Sequence, residues 1–336
     1  MSQVSLTIVG TCSVDLLVNG SSEFIESNGL VNGGTHNAVL RPEFKKTFRD
    51  IKELGNLVMK PGGSAANTAV MYAGLGGTVR FVGSIGNDNE GQYFRESMRE
   101  SGCDTAISVL NGQSTCKCLG IIDESGERTI VVAPDANRYV KVPDTTSDTI
   151  FCVEGYSLQY QETRENIISE LEARRKLNLL SVITASDASV VNANKPLFIE
   201  FLKQGDSCLF VLNQHEIEAI LDSEVLHCAE YLAYNNLSAV ITLGKDGALV
   251  IENGEVVKVK PTRVPSVQIV DTIGAGDAFL GGLIYAHLEL GKSLKDSALA
   301  GNLCAAAVVR QDGARLDDYS ALKSAINITG CGIAQV

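Results

Sequence analysis

The stretch Asp271-Thr-Ile-Gly-Ala-Gly-Asp277 is the strongest structural signal in the chain, because it predicts a Gly-rich turn between a strand and a helix. Val264 to Val270, directly before it, alternates in the manner of a strand. Ala278 to Leu290, directly after it, is apolar and nearly uncharged, which predicts a buried helix. The glycines are therefore expected at the turn itself.

Two glycines and a carboxylate of this turn predict an anion site with a base beside it. Gly274 and Gly276 can adopt backbone angles closed to other residues, and the free N–H groups of a first helical turn bind anions. Asp277 would accept a proton from an attacking hydroxyl while these N–H groups stabilise the charge on a moving phosphoryl group. The alternative is that Asp277 is a helix N-cap and that the glycines only form a tight turn. The run alone leaves both interpretations open.

Length and composition limit the class of protein. The chain has 336 residues, of which 45% are hydrophobic, and this suits one large α/β domain with an appended lid. Its formal net charge of −12 disfavours a general nucleic-acid surface and favours a small substrate. Because the sequence has neither an apolar run of roughly 18 to 20 residues nor a signal peptide, we expect no membrane span and a cytoplasmic location.

Strand-like and helix-like runs alternate from about residue 150 onward, which predicts a mainly parallel sheet with helices on both faces. The predicted strands are Leu6 to Val9, Val79 to Val82, Leu119 to Ile122, Thr129 to Val132, Leu179 to Ile183, Cys208 to Leu212, Ala239 to Leu243 and Ala248 to Glu252. The predicted helices are Glu165 to Lys176, Asn194 to Gln204, Gln214 to Leu221 and Leu294 to Arg310.

Two segments depart from this alternation and are predicted to form a lid, at about residues 16–60 and 112–133. The first is rich in Asn and Gly and then amphipathic from Arg41 to Leu54. The second contains a hairpin from Thr115 to Val132. A lid excludes water during phosphoryl transfer. Residues 1–336 are thus predicted to form one domain with a lid.

Two early features suit a ligand that carries hydroxyl groups. Pro61-Gly-Gly-Ser-Ala-Ala-Asn67 opens a helix, in which Gly62 and Gly63 can hinge and Asn67 can form hydrogen bonds. Asp15 follows the first strand, where ligands of α/β sheets usually bind. The alternatives are a Gly-rich helix start that packs against the sheet and a plain turn aspartate.

Asn213-Gln-His-Glu216 follows an apolar strand and allows two interpretations. At the carboxyl end of a strand, the Asn and the carboxylate could hold a hydrated Mg²⁺ through water. The same spacing also fits a helix N-cap with its capping-box Glu. Both can be true.

Two later features could border a nucleotide. Thr242-Leu-Gly-Lys-Asp-Gly247 reads as a strand, a turn and a second strand, which by itself is only a hairpin. Asn302 and Ala305-Ala-Ala lie on the late helix and could leave space for a flat base. Such alanines also serve simple helix packing.

Six motifs follow one another along the chain, namely Asp15, Gly62-Gly-Ser-x-x-Asn67, Val82-Gly-Ser-Ile-Gly86-Asn-Asp88-x-x-Gly91, Asn213-x-x-Glu216, Thr242-x-Gly-x-x-Gly247 and Asp271-Thr-x-Gly-Ala-Gly-Asp277. In this order they resemble the ribokinase-like (PfkB) carbohydrate kinase family over nearly the whole chain. The resemblance implies a three-layer α/β/α fold with a mainly parallel central sheet and a small β-rich lid. It also implies transfer of the γ-phosphoryl group of ATP to a primary hydroxyl.

The family pattern implies roles for residues of this chain. Asp277 would be the base, with the amides of Gly274, Ala275 and Gly276 as the anion hole. Asn213 and Glu216 would organise Mg²⁺ through water. The nucleotide would contact Asn213, Thr242, Gly244, Gly247, Asn302 and Ala306. The substrate would contact Asp15, Gly62, Gly63 and Asn67, with Ser13 where many members carry Asn. A monovalent cation, K⁺, would lie beside Asp271, Ile273, Val309 and Gly313.

The spacing of the early motifs is similar to the adenosine-kinase-like branch of that family, because 46 residues lie between Asp15 and Gly62. Arg41 to Leu54 resembles the lid helix of that branch, and Glu154-Gly-Tyr156 resembles it as well. This similarity favours a nucleoside of the adenosine type, phosphorylated on its 5′-hydroxyl. In that interpretation Asn37, Cys118 and Tyr156 would line the base pocket.

Other functions stay open at this stage. The chain has no Trp and only 6% aromatic residues, which leaves little stacking surface for a purine. A sugar kinase of the ribokinase or fructokinase type is the main alternative, although a free sugar needs more polar partners. A non-catalytic sensor is disfavoured, because Asp277, Gly274 and Gly276 are all present. A monomer and a homodimer fit equally well.

Overall fold

A computed structural model describes residues 5–37, 46–51 and 54–328. Its strands are β1 (Leu6–Val9), β2 (Ser13–Asn19), β3 (Thr35–Asn37), β4 (Val58–Gly62), β5 (Val79–Gly86), β6 (Asp104–Leu110), β7 (Cys116–Ile122), β8 (Arg128–Ala133), β9 (Ile150–Glu154), β10 (Ser181–Thr184), β11 (Cys208–Asn213), β12 (Ser238–Thr242), β13 (Ala248–Glu252) and β14 (Glu255–Val259). Its helices are α1 (Ser22–Ser27), α2 (Thr47–Asp50), α3 (Ser64–Gly74), α4 (Asn89–Glu100), α5 (Gln161–Lys176), α6 (Ala188–Leu202), α7 (Gln214–Leu221), α8 (Val225–Tyr234), α9 (Ala275–Leu288), α10 (Leu294–Val308) and α11 (Ser320–Ile328). Within these ranges, the helices are too short or too polar to cross a membrane.

A central sheet of nine strands has the order β14-β13-β12-β11-β10-β9-β1-β5-β6. Its pairs from β12 to β6 are parallel, and β12-β13-β14 form an antiparallel edge. Parallel strands place their carboxyl ends at one edge of a sheet, where ligands of open α/β folds bind. The topology therefore gathers the ends of β1, β9, β11 and β12 on one side of the molecule.

Hydrophobic cores lie on both faces of the central sheet, which gives three layers. In β9 the buried residues alternate between them: Ile150 and Cys152 belong to one core, and Phe151 and Val153 to the other. The first core is completed by α3, α4, α9 and α10, and the second by α5 to α8. Such a run without polar positions is typical of a strand covered on both faces.

A second sheet of five strands, called the small sheet below, has the order β3-β8-β7-β2-β4. Val14, Leu16 and Val18 of β2 belong to the first core, so Ser13 and Asp15 point from the opposite face. The strands of this sheet fall close to the two segments expected for the lid. β2, the first strand of this sheet along the chain, begins at Ser13.

Most predicted elements are confirmed, and one is wrong. β1, β13 and α7 have the predicted bounds, and the other predicted strands and helices differ at their ends by up to six residues, the largest difference being the start of α6. Val264 to Val270 is not a strand but contains one turn of 3₁₀ helix at Ser266–Gln268. Pro265 lacks the N–H that a sheet ladder needs, and this segment borders a cavity instead of a partner strand. Half of Arg41 to Leu54, residues 41–45, 52 and 53, lies outside the described residues, and the described half contains α2.

Candidate active site

Helix α9 begins at a turn that requires glycine. Gly274 is its N-cap residue and has φ +76°, and a Cβ there would overlap the Cβ of Ala314. Among the described residues, no side chain caps this helix. The Ala275 N–H donates to the carbonyl oxygen of Thr272 at 3.3 Å. At Gly276 a Cβ would meet no described atom within 4 Å, so this glycine keeps space open beside the helix start.

Asp277 is the third residue of α9, and its carboxylate is held by two donors from α3. Ser64 Oγ donates to Oδ1 at 2.6 Å, and Asn67 Nδ2 donates to Oδ2 at 3.0 Å. Because Gly274 occupies the N-cap position, the N-cap interpretation of Asp277 is wrong. Its carboxylate faces another helix instead of the backbone of its own.

Opposing effects act on the proton affinity of Asp277. Burial raises its pKa, and the hydrogen bonds from Ser64 and Asn67 together with the charge of Arg315 act in the opposite direction, with a net rise. A base with a raised pKa holds an abstracted proton more strongly than an ordinary aspartate does. This environment suits proton acceptance from a weakly acidic hydroxyl.

Asp15 lies in the middle of β2 on the face of the small sheet that carries Ser13. Its Oδ1 accepts one long hydrogen bond, 3.4 Å, from Ser13 Oγ. Burial raises the pKa of Asp15, and the charges of Arg128 and Arg315 oppose this. The carboxylate is therefore largely desolvated and has acceptor capacity left for hydroxyl groups of a ligand.

The glycine pair at the junction of β4 and α3 brings the start of α3 against Asp15 and the loop after β1. A Cβ at Gly62 would overlap the carboxylate of Asp15. Gly63 has φ +95°, and a Cβ there would overlap the carbonyl oxygen of Thr11. This close approach places Ser64 and Asn67 at Asp277.

Cys118 and Tyr156, which the resemblance places beside a base, are both half-buried. Cys118 pairs with Asp15 across β2 and β7, so the two side chains share a face of the small sheet. Burial raises the pKa of the Cys118 thiol to about 12. Tyr156 is half-buried after β9, and its pKa is raised by burial and by the charges of Asp187 and Glu154. The side chain of Asn37 is outside the described part of the chain.

A cavity of about 630 Å³ opens beside the start of α9. It is lined by Thr242, Gly244 and Gly247 from the β12-β13 turn, by Ala275 and Gly276, and by Asn302, Ala306 and Val309. Asn302 Nδ2 donates to the Lys260 carbonyl oxygen at 2.9 Å, which holds the loop after β14 against α10. Lys245, Arg263 and Phe279 also line it, and sequence reasoning missed them. The cavity combines two cations with apolar walls, which suits an anionic ligand with a flat ring.

Asn213 and Glu216 form the capping box that the sequence allowed. The Glu216 N–H donates to Asn213 Oδ1, while Asn213 N–H and Nδ2 donate to the Glu216 carboxylate at 2.9 and 2.7 Å. Burial raises the pKa of Glu216 to about 7. One carboxylate and one amide fit a Mg²⁺ ion that keeps most of its water and binds mainly to substrate phosphates.

The residues expected around a monovalent cation lie in adjoining segments. The Val309 carbonyl oxygen accepts from the N–H of Val270 at 2.8 Å and more weakly from that of Asp271 at 3.4 Å. Asp271 Oδ1 accepts from the Ile273 N–H at 3.0 Å. Gly313 has φ +92° and precedes the Ala314 that packs on Gly274. The structure thus brings the end of α10 to the turn before α9.

Glu154, which is buried, and Arg315, which is half-buried, are polar residues that sequence reasoning did not assign to the site. Glu154 is fully buried at the carboxyl end of β9, and it accepts from the N–H of Thr11 at 3.2 Å, from Thr11 Oγ1 at 2.9 Å and from the Ala65 N–H at 2.6 Å. Burial raises the pKa of Glu154 to about 7. The sequence signal that could have identified Glu154 is its position at the end of the apolar run Ile150 to Val153. Asn213 was identified from the same kind of position. Arg315 had no comparable signal.

Comparisons with known proteins agree with these features. A family model described as pfkB family carbohydrate kinase matches residues 31–320. Aminoimidazole riboside kinase from Salmonella typhimurium is 28% identical over 79% of this chain and 86% of its own length. Adenosine kinase from Schizophyllum commune is 25% identical over 93% and 97%. The crystal structure of adenosine kinase from Sinorhizobium meliloti, 26% identical, superposes with a TM-score of 0.83 over 96% of this chain and 98% of that one.

Proposed function

The chain belongs to the pfkB family of carbohydrate kinases, phosphotransferases with an alcohol group as acceptor, and we propose that its acceptor is the 5′-hydroxyl of an adenosine-type nucleoside. The observation that carries this proposal is the small-sheet face around Asp15. In register with Asp15 on that face lie Cys118 and then Val132, both half-buried. A carboxylate beside an apolar surface suits a molecule with ribose hydroxyls at one end and a flat ring at the other.

A free sugar fits this face less well. Each sugar hydroxyl that loses water needs a polar partner, and a site that lacks one binds the sugar weakly. Leu17 and Ile130 continue the same face one pair further along β2 and β8. Asp15 therefore has mainly apolar neighbours on the β7 and β8 side, while Lys60 pairs with it from β4 and the charge of Arg128 acts on it. Aminoimidazole riboside kinase and adenosine kinase, both similar to this chain, also carry a ribonucleoside in their names.

Asp277 is proposed as the general base. The substrate hydroxyl gives its proton to the Asp277 carboxylate, its oxygen bonds to the γ-phosphorus of ATP, and the bond from that phosphorus to the bridging oxygen breaks to release ADP. The helix start at Gly274, Ala275 and Gly276 supplies backbone dipoles toward the charge that develops on the moving group. Asp15 orients the acceptor.

The cavity beside α9 is proposed as the ATP site. Lys245 and Arg263 line this cavity and would supply positive charge to the phosphates, and Phe279, Ala305 and Ala306 offer apolar walls. Kinases of this family use ATP, generally with Mg²⁺, and the bound ion neutralises phosphate charge. Asn213 and Glu216 would hold the water shell of this ion.

A monovalent cation is proposed beside Asp271, where the turn before α9 meets the end of α10. A cation there would fix the turn and add positive charge near the phosphates. We expect turnover to fall when K⁺ is replaced by a large organic cation at constant ionic strength. Equal rates in K⁺, Na⁺, NH₄⁺ and the organic cation would contradict this site.

An acceptor panel tests the substrate class. ATP consumption is measured with adenosine, inosine, guanosine, cytidine, ribose and fructose, with 5′-deoxyadenosine as the matched control that lacks only the acceptor hydroxyl. We expect the highest kcat/KM with a purine nucleoside and none with 5′-deoxyadenosine. Preference for ribose or fructose would overturn the nucleoside assignment and leave the kinase family untouched.

A further inference from the structure

We propose that Arg315 is a positioning residue for phosphoryl transfer: it holds the side-chain amide of Asn67 in the one orientation that donates a hydrogen bond to Asp277. The proposal rests on the proposed role of Asp277 as the base. It does not depend on which alcohol is the acceptor.

The amide of Asn67 is bound at both ends. Arg315 Nε donates to Asn67 Oδ1 at 3.1 Å, and Asn67 Nδ2 donates to Asp277 Oδ2 at 3.0 Å. A guanidinium has only donors, so a flipped amide would present its NH₂ group to another donor and its oxygen to a carboxylate. Both contacts would become repulsive. Arg315 therefore selects the orientation in which Asn67 serves Asp277.

Arg315 is itself anchored away from the reacting groups. Its Nη1 donates to Ser97 Oγ at 2.9 Å, and its Nη2 lies 3.9 Å from Met98 Sδ, both on α4. The planar guanidinium thus spans α4 and α3 with separate nitrogen atoms, which fixes the direction of Nε. A flexible ammonium group could not make these contacts in one geometry.

The segment that carries Arg315 also braces the turn before α9. Ala314 packs on Gly274, so closely that no side chain fits there. Adjacent residues of one segment therefore contact the start of the helix that bears Asp277 and the amide that binds the Asp277 carboxylate. The first contact is at Gly274, three residues before Asp277, and the second is at the amide that binds the Asp277 carboxylate.

Charges around Asp277 agree with this role. Three carboxyl groups interact electrostatically with Asp277, namely Asp15 on β2, Glu154 on β9 and Glu216 on α7. Arg315 is the cation whose charge opposes the rise in the pKa of Asp277 caused by burial. The guanidinium thus stabilises the ionised base while it orients the amide beside it.

The position of Arg315 predicts which kinetic constant changes. Arg315 is not among the described residues that line the cavity beside α9, the proposed ATP site. Loss of its contact with Asn67 should therefore lower kcat and leave the KM for ATP within about twofold. Residues that orient a group bound to a reacting centre typically change activity by about 10- to 100-fold.

A double-mutant cycle tests the proposal. Arg315→Met, Asn67→Ala and the double variant are compared with Arg99→Met, which removes an exposed arginine from the same helix that anchors Arg315. We expect Arg315→Met to lower kcat by about 10- to 100-fold alone and by less than about threefold in the Asn67→Ala background, because the two residues act as one unit. Arg99→Met should change neither constant.

Three results would overturn the proposal: an unchanged kcat in Arg315→Met, the same loss of kcat in the Asn67→Ala background, or a rise in the KM for ATP as large as the fall in kcat. If Arg315→Met does not fold, Arg315→Lys replaces it. The lysine variant keeps the charge and loses the planar donor, so we expect a fall in kcat at an unchanged melting temperature. If the acceptor panel shows a sugar kinase, the nucleoside assignment fails while these expectations stand.

Discussion

At the scale of single residues, the Asp277 carboxylate accepts hydrogen bonds from side chains of α3, and it does not cap its own helix. Ser64 and Asn67 occupy one oxygen each, so a substrate hydroxyl must approach a remaining lone pair. Gly274 leaves the helix start uncapped among the described side chains, and that start is where an anion would lie.

Asp277→Asn tests the base directly. The substitution keeps the shape and removes proton acceptance, so we expect kcat to fall by about 10²- to 10⁴-fold while the KM for ATP changes little. Steady-state kinetics beside Asp317→Asn, an exposed aspartate, supplies the comparison. Turnover within a few-fold of the parent protein would exclude Asp277 as the base.

Glu154 gives the fold a dependence on pH. Its pKa is raised from 4.5 to about 7 in the folded protein, so the folded state binds more protons than the unfolded state between these values. The contribution of Glu154 to the free energy of unfolding is therefore greatest below pH 4.5 and is lost as pH rises through about 7. Glu154→Gln lacks this term.

We expect the stability of Glu154→Gln relative to the parent protein to increase between pH 5 and pH 8, by at most about 3 kcal/mol. Urea unfolding of both proteins at several pH values measures it. A difference in unfolding free energy that does not vary with pH would show that Glu154 keeps an ordinary pKa.

At the scale of elements, function depends on where strands end and helices begin. β9 ends at Glu154, β11 ends at Asn213, and β12 ends at Thr242, all on one edge of the central sheet. Helices α3 and α9 begin at glycines with positive φ, which aim their first turns at that edge. The site is thus assembled from element ends, while the interiors of the same elements form the two cores.

A buried arginine connects the segments that precede β9 and β10. Arg174 in α5 is fully buried and donates to the carbonyl oxygens of Thr145, Asp148 and Thr149 before β9 and of Leu180 before β10. Its removal would take this donor from the buried carbonyl group of Asp148 and from the partly buried ones of Thr149 and Leu180, while that of Thr145 keeps the Asp148 N–H.

Arg174→Met should therefore lower the free energy of unfolding by about 3 to 5 kcal/mol. Denaturant unfolding compares it with Arg175→Met, which removes an exposed arginine one residue further along α5. A loss no larger than that of Arg175→Met would mean that water satisfies these carbonyl groups equally well.

At the scale of the whole molecule, sequence reasoning reached those features that depend on local pattern. β1, β13 and α7 follow from periodicity and turn residues, and two of the glycine motifs coincide with the N-caps of α3 and α9. Periodicity could not reveal that Val264 to Val270 lacks a partner strand. It also could not reveal the bond from Arg315 to Asn67, since 248 positions separate them and neither residue carries a pattern that points to the other.

The substrate is the other property that local pattern leaves undetermined. Asp15 and Cys118 become neighbours only through the register of β2 and β7, and that register shows an apolar surface next to a carboxylate. The glycine turn and Asp277 are compatible with a kinase for any alcohol acceptor. The surface of the small sheet is the basis for proposing a nucleoside.

Product analysis after incubation with ATP and adenosine tests this account most directly. Mass spectrometry and ³¹P NMR identify the phosphorylated product, with Asp277→Asn and 5′-deoxyadenosine as controls. We predict one product, the nucleoside 5′-monophosphate, formed by the parent protein and greatly reduced in both controls. Phosphorylation of ribose or fructose in preference to adenosine, or 5′-monophosphate formed equally by Asp277→Asn, would contradict it.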